Sequence, residues 1–143
     1  MKEAPVIRRA QLPEIADCAR LYVETGRRTF TWHPRSHFRR DEIARCAEDE
    51  DVWVAFRDDV IAGLLTYFEP EHFVHFLMVD WRWRGEGLGS ALIAHVRAHY
   101  GARHKLKVDR PNTDALGFYA GHGYKEIGEG KSDGVAWVLM RSP

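Results

Sequence analysis

Arg84-Gly85-Glu86-Gly87-Leu88-Gly89-Ser90 concentrates the residue types that bind a phosphate. Alternating glycines let the backbone approach a ligand closely, and N–H groups at a helix start point their positive dipole end outward. Arg82 and Arg84 add formal charge at the entrance. One glycine here would read as turn geometry, but three alternating glycines behind arginines read as a phosphate cradle. His75 is a second residue able to do chemistry. It interrupts the apolar run Phe73–Val79 that leads into the cradle, and a period of two places it on the same face as Val79. Its packing alternative is a buried histidine hydrogen-bonded to backbone.

Positioning these residues requires a strand, a tight turn and a helix in immediate succession. Phe73–Val79 reads as a strand buried on both faces. After the turn, Leu88, Ala91, Leu92, Val96 and Tyr100 share one helical face. Upstream, residues 6–10 form a short strand, and a helix beginning near Pro13 carries Ile15, Cys18, Ala19 and Tyr22 on one face as far as Thr25-Gly26. Residues 27–40 are irregular, basic and aromatic. A shorter helix over 40–47 ends in Glu48-Asp49-Glu50-Asp51, read as a solvated helix end and turn. Residues 52–56 and 60–67 flank Arg57-Asp58-Asp59 as a hairpin. Downstream come a strand over 105–109, a helix over 112–121, a strand over 123–127 and a closing strand over 135–140. Residues 128–134, with three glycines, are expected to be a mobile connection. Helices and mostly antiparallel strands therefore share one sheet.

The length suits one domain, over residues 1–143, with one sizeable core. A hydrophobic content of 45% excludes a disordered chain, and a formal net charge of zero argues against nucleic acid or an anionic membrane as partner. No apolar stretch approaches the ~18 residues of a membrane-spanning helix, and MKEAPVIRRA lacks a signal-peptide core. Cys18 and Cys46 have no metal-ligand spacing and read as reduced packing residues of a cytoplasmic protein.

Arg84-Gly85-Glu86-Gly87-Leu88-Gly89 fits the Gln/Arg-x-x-Gly-x-Gly/Ala pattern of the GNAT family of CoA-dependent N-acetyltransferases at each specified position. Asn112-Thr113-Asp114-Ala115-Leu116-Gly117-Phe118-Tyr119 resembles that family's Asn-x-x-Ala-x-x-Phe-Tyr helix, and Gly123-Tyr124 follows where Gly-Phe is common. Each motif alone is modest; together, joined by a helix and a strand, they are specific. The chain resembles the family over nearly its whole length. The fold this implies is a GNAT-like mixed α/β (α+β) arrangement: a largely antiparallel sheet of about seven strands with about four helices, splayed between its central strands.

The resemblance implies transfer of an acetyl group from acetyl-CoA to a primary amine by direct attack, with acetyl-CoA as co-substrate and no metal. Such attack needs a neutral amine, a polarised carbonyl and a protonated thiol leaving group. By the resemblance, the pyrophosphate lies on Arg84, Gly85, Glu86, Gly87, Leu88, Gly89 and Ser90. The pantetheine arm pairs like a strand with Leu77, Met78 and Val79, the Val79 N–H meeting the thioester oxygen. Asn112 and Phe118 complete the cofactor contacts. Tyr119 matches the tyrosine many members use as general acid; its packing alternative is ordinary core beside Phe118. His75 resembles a histidine that helps deprotonate the amine in arylalkylamine acetyltransferases, directly or through water. Glu69, Glu71 and His72 are lesser candidates for that task, and solvated loop positions otherwise.

Residues 27–40 correspond to the family's variable acceptor region. Phe30, Trp32, His33 and Phe38 are available to wall a pocket, and Arg27, Arg28, Arg35, Arg39 and Arg40 to hold a carboxylate. A basic solvated loop with its aromatics in the core is the plainer reading. The acceptor stays open among small amines, amino acids, antibiotics and protein N-termini or lysines. Partners are thus a small-molecule amine or peptide, with neither nucleic acid nor membrane, and a homodimer is a common assembly in the family. Two rivals remain. One is a non-catalytic acyl-CoA-binding module on the same fold. The other is a dinucleotide-binding enzyme using Asp109, disfavoured because Ser90 stands at the third glycine position.

Overall fold

The computed structural model describes residues 3–143. Its elements run β1 (Val6–Arg9), α1 (Ile15–Thr29), α2 (Glu42–Asp49), β2 (Asp51–Arg57), β3 (Val60–Phe68) and β4 (Phe73–Val79). There follow α3 (Leu88–Tyr100), β5 (Lys105–Asp109), α4 (Thr113–Gly121), β6 (Lys125–Ser132) and β7 (Val135–Arg141). The strands form one seven-stranded sheet in the order β1-β2-β3-β4-β5-β7-β6. Every neighbouring pair is antiparallel except β4 and β5, which run parallel and pair only at Phe73–Lys105 and Val74–Leu106. Beyond Val74 the two strands diverge, which is the splay expected between the central strands. Among the described residues no helix is long and apolar enough to cross a membrane.

Local chemistry accounts for the strand connections. Asp58 and Asp59 both take left-handed backbone (φ 50° and 62°), the conformation of a two-residue hairpin turn whose twist suits the flanking strands. Asp133 and Gly134 (φ 50° and 79°) do the same between β6 and β7. Residues 128–134 are therefore largely strand rather than a mobile connection. Gly130 has a packing reason: a methyl group there would lie 2.3 Å from the Trp137 ring. The indole covers the backbone at that point, and no larger residue fits beneath it.

The core lies on both faces of the sheet. Cys18, Leu21 and Tyr22 of α1 and Ile43 of α2 pack with Val52, Val54, Leu64 and Met78 on one face. Leu88, Leu92 and Val96 of α3 and Tyr119 of α4 pack with Trp53, Leu65, Tyr67, Leu106 and Val138 on the other. In β4, Leu77 and Val79 serve the α3 face while Phe76 and Met78 serve the α1 face. The strand is less enclosed than its sequence suggests, because the splay opens its outer half and only Val74 and Met78 are fully buried.

Candidate active site

At the cradle, Gly85 and Gly87 adopt left-handed backbone (φ 78° and 81°), and a methyl group placed on either would meet no atom within 4 Å. Their glycine identity answers conformation and an open approach rather than packing. Gly87 is the N-cap of α3 and no side chain caps that end, so first-turn N–H groups are left for a ligand. Gly89 serves differently, since a methyl there would stand 3.4 Å from the Phe118 ring, and the small residue lets α3 approach α4. Ser90 donates its hydroxyl proton to His122 Nε2 at 2.9 Å, because His122 Nδ1–H is engaged by the Phe118 carbonyl at 2.8 Å.

The charged groups at the entrance divide. Arg84 donates to Thr29 Oγ1 at 3.3 Å, which ties the turn to the end of α1. Arg28 lies over the Trp81 ring at 3.9 Å. Arg82 folds back on Asp80, donating from Nε at 3.0 Å and Nη2 at 2.7 Å. That bond holds the buried Asp80 carboxyl below its ordinary range against the opposing effect of burial. Arg82 thus secures the turn as well as charging it. Glu86 is drawn into an ion pair with Arg57 at 3.3 Å.

From the splay a cavity of about 220 Å³ extends between α1 and α4. Leu77 and Met78 line it from β4, Asp109 from β5, and Asn112, Ala115 and Tyr119 from the start and body of α4. Asn112 also caps that helix, its Oδ1 accepting the Ala115 N–H at 3.2 Å. Tyr119 is 7% exposed, and its hydroxyl makes no hydrogen bond with the described residues. Burial pushes the phenol well above its ordinary range, so it stays protonated as a donor facing a cavity.

His75 lies on a different face from the one its spacing indicates. Thr66 pairs with Phe76 and Tyr67 with Val74, leaving His75 as the extra residue of a β-bulge. The bulge breaks the period of two and turns the imidazole away from the Val79 face, toward α2. There it stacks on Phe76 (4.2 Å, 14°) and reaches the carboxylate of Glu50, with Nδ1 2.9 Å from Oε2. Glu50 was missed by sequence reasoning, which placed it in a solvated acidic run. Glu48 and Asp49 are exposed as expected, but the Glu50 side chain is only 11% exposed. Asp51 accepts the Tyr100 hydroxyl and pairs with Arg9. Charge density in the sequence carries no sign of which carboxylates turn inward.

The acceptor-side loop closes on the end of β5. Trp32 Nε1 donates to Asp109 Oδ2 at 3.0 Å, and His33 Nε2 lies 2.7 Å from the same oxygen. The His33 and His37 rings stack at 3.8 Å, and burial, then His33, lowers the His37 pKa. Asp109 therefore anchors this loop, which engages the carboxylate on which the dinucleotide reading relied. Phe30, Trp32, His33 and Phe38 do wall the cavity. The five arginines of the segment do not line it: Arg27 bonds the Arg35 and Phe38 carbonyls and Arg39 pairs with Asp41. Glu69 and Glu71 flank a one-turn connection, and His72 meets the Tyr67 hydroxyl at 3.0 Å. None of the three reaches the cavity wall.

The structure of PaiA N-acetyltransferase from Thermoplasma acidophilum in complex with coenzyme A is similar at a TM-score of 0.80 and 16% identity, covering 99% of this chain and 100% of the other. A GCN5-related N-acetyltransferase from Rhodopseudomonas palustris is similar at 0.78 and 18% identity, covering 99% and 97%. At these identities the likeness is one of fold. No curated protein matches the sequence significantly. The family profile of the acetyltransferase (GNAT) domain matches residues 18–142, and the chain belongs to that family.

Proposed function

We propose that the protein transfers an acetyl group from acetyl-CoA to a primary amine by direct attack. One observation carries this reading: the β4–β5 gap joins an open helix N-terminus to a cavity lined by a protonated phenol and by His75, whose Nδ1 meets Glu50 behind the wall. Open space over Gly85 and Gly87 and the cationic Arg84 suit a pyrophosphate. The gap-facing backbone of Leu77 and Val79 has no strand partner across the splay and suits an amide-bearing arm laid in as an extra strand. Coenzyme A in the Thermoplasma neighbour supports the same cofactor here.

The roles follow from chemistry. Glu50 accepts the Nδ1–H of His75, leaving Nε2 with a lone pair that can take the amine proton directly or through water. Val79 N–H polarises the thioester carbonyl, and Tyr119 donates to the departing sulfur. Because burial raises the phenol further above the ~8.5 of a thiol, Tyr119 stabilises the thiolate chiefly as a hydrogen-bond donor. The acceptor wall is largely aromatic, through Phe30, Trp32 and Phe38, which suits amines borne on apolar or aromatic bodies. A thiol-release assay with acetyl-CoA across amines, amino acids and peptides should show release that depends on an amine. Tight acetyl-CoA binding with no acceptor-dependent release would make the protein a binding module instead.

A further inference from the structure

Cys46 and Glu50 sit one helical turn apart at the C-terminal end of α2, so Sγ and the carboxylate fall on one side. The bulge in β4 brings His75 to that same side. One ligand atom from each residue lies within 4.8 Å of the others. Sγ to Nδ1 is 3.7 Å and Nδ1 to Oε2 is 2.9 Å. With zinc bonds of about 2.3 Å to sulfur and about 2.0–2.1 Å to nitrogen or oxygen, tetrahedral ligands stand about 3.6 Å and 3.3 Å apart. The first spacing is already met, and the second needs a few tenths of an ångström. A second observation points the same way: Glu50 Oε1 is buried with no hydrogen-bond partner among the described residues, which the His75 contact at Oε2 does not explain.

We propose that Cys46, Glu50 and His75 form a site for a divalent cation of the zinc class, whose occupancy withdraws His75 from amine deprotonation. The second half rests on the acetyltransfer reading above; the site itself does not. A thiolate–imidazole–carboxylate set selects borderline-soft cations over magnesium or calcium. Cys46 and Glu50 are enclosed while the His75 side chain is 43% exposed, so the cation enters, and a water completes the shell, on the histidine side. The tautomer supplies the coupling. With Glu50 holding Nδ1–H, Nε2 is a base. With Nδ1 bound to the cation, the ring proton exchanges through water to Nε2, which then has no lone pair to offer. The Sγ–H proton leaves for solvent, so one proton is released per cation bound.

Cobalt(II) added to the metal-free protein is the probe. It should bind one to one with a thiolate-to-cobalt absorption band and release of one proton. Turnover should fall in step with occupancy and return on adding a chelator, while magnesium should do neither. Cys46→Ser should lose the band and keep its turnover when cobalt is added. His75→Gln, at a half-exposed position, gives a second reading of the lost band should the serine variant fold poorly. No band, or a band undiminished in both variants, overturns the site. Full occupancy with undiminished turnover overturns the coupling. Absent turnover in the metal-free enzyme would count against acetyl transfer, while the band still decides the site without any substrate.

Discussion

The turn over residues 84–90 is built from consecutive residues, whereas the wall around His75 is gathered from four separated stretches. In the turn, Gly85 and Gly87 need only left-handed backbone, Gly89 a close neighbour, and α3 an uncapped end. Around His75, the bulge of β4, the end of α2, the loop of Trp32 and His33, and Asp109 of β5 must all arrive together. The first region depends on backbone conformation and tolerates little side-chain change. The second depends on side-chain contacts that can be removed singly. Local construction suits a cofactor common to many enzymes, and distributed construction suits an acceptor that differs between them.

That contrast is sharpest where one substitution should remove cofactor binding and leave the acceptor wall intact. Gly87→Asp puts a carboxylate where N–H groups would meet pyrophosphate, a like-charge juxtaposition costing several kcal/mol, or roughly 10³-fold in acetyl-CoA affinity. The strain of a left-handed aspartate adds about 1 kcal/mol, which the fold survives. Gly87→Asn, uncharged and tolerant of that backbone, should lose far less. Calorimetric titration and thermal melting together check both. Unchanged binding by a folded Gly87→Asp protein would move the cofactor elsewhere.

On the distributed side, His75→Gln should lower turnover roughly 10²–10⁴-fold and leave acetyl-CoA affinity nearly unchanged. Equal rates at every pH would return His75 to a packing role. Tyr119→Phe should lower turnover roughly 10²-fold with acetyl-CoA binding spared. Its stability should shift by no more than ~1 kcal/mol, because the hydroxyl makes no hydrogen bond with the described residues. The phenol pKa is raised, so the acid form persists as pH rises to 10, and wild type should show no alkaline loss that Tyr119→Phe removes. Wild-type single-turnover rates in the variant would end the acid role. The smallest effect belongs to Glu50→Gln, which keeps an acceptor for His75 Nδ1–H but loses the charge. A fall of about 10-fold is expected, on the scale of groups that orient a ligand or base. No change would reduce Glu50 to a spacer.

How much of this was legible follows the same division. The three glycines and the helix carrying Tyr119 lie within short spans where spacing reports geometry. The order of strands and helices and the splay were also expected. His75 shows where that logic stops: whether residue 75 or its neighbour bulges depends on how Tyr67 meets Val74, a pairing decision made across strands. Glu50 looks like Glu48 and Asp49 in sequence, and only the approach of β4 to α2 separates it from them. Asp109 and its partners Trp32 and His33 belong to segments far apart in the chain. The glycines of residues 128–134 misled for a further reason: Gly130 accommodates Trp137 and Gly134 completes the hairpin turn, so neither marks motion.

The two-pair contact between β4 and β5 also makes the sheet mechanically two plates, β1 to β4 and β5-β7-β6, riveted at one end. Backbone amides facing the unriveted length open to water by local breathing rather than by global unfolding. Deuterium should therefore enter the gap-facing amides of Leu77, Val79, Lys107 and Asp109 faster than those of Val54 or Leu64, which lie between paired strands. A strand-like ligand laid into the gap would weld the plates, slowing that uptake while leaving the β2–β3 amides as they were. In this sense the cofactor would finish a sheet that the chain itself leaves one strand short.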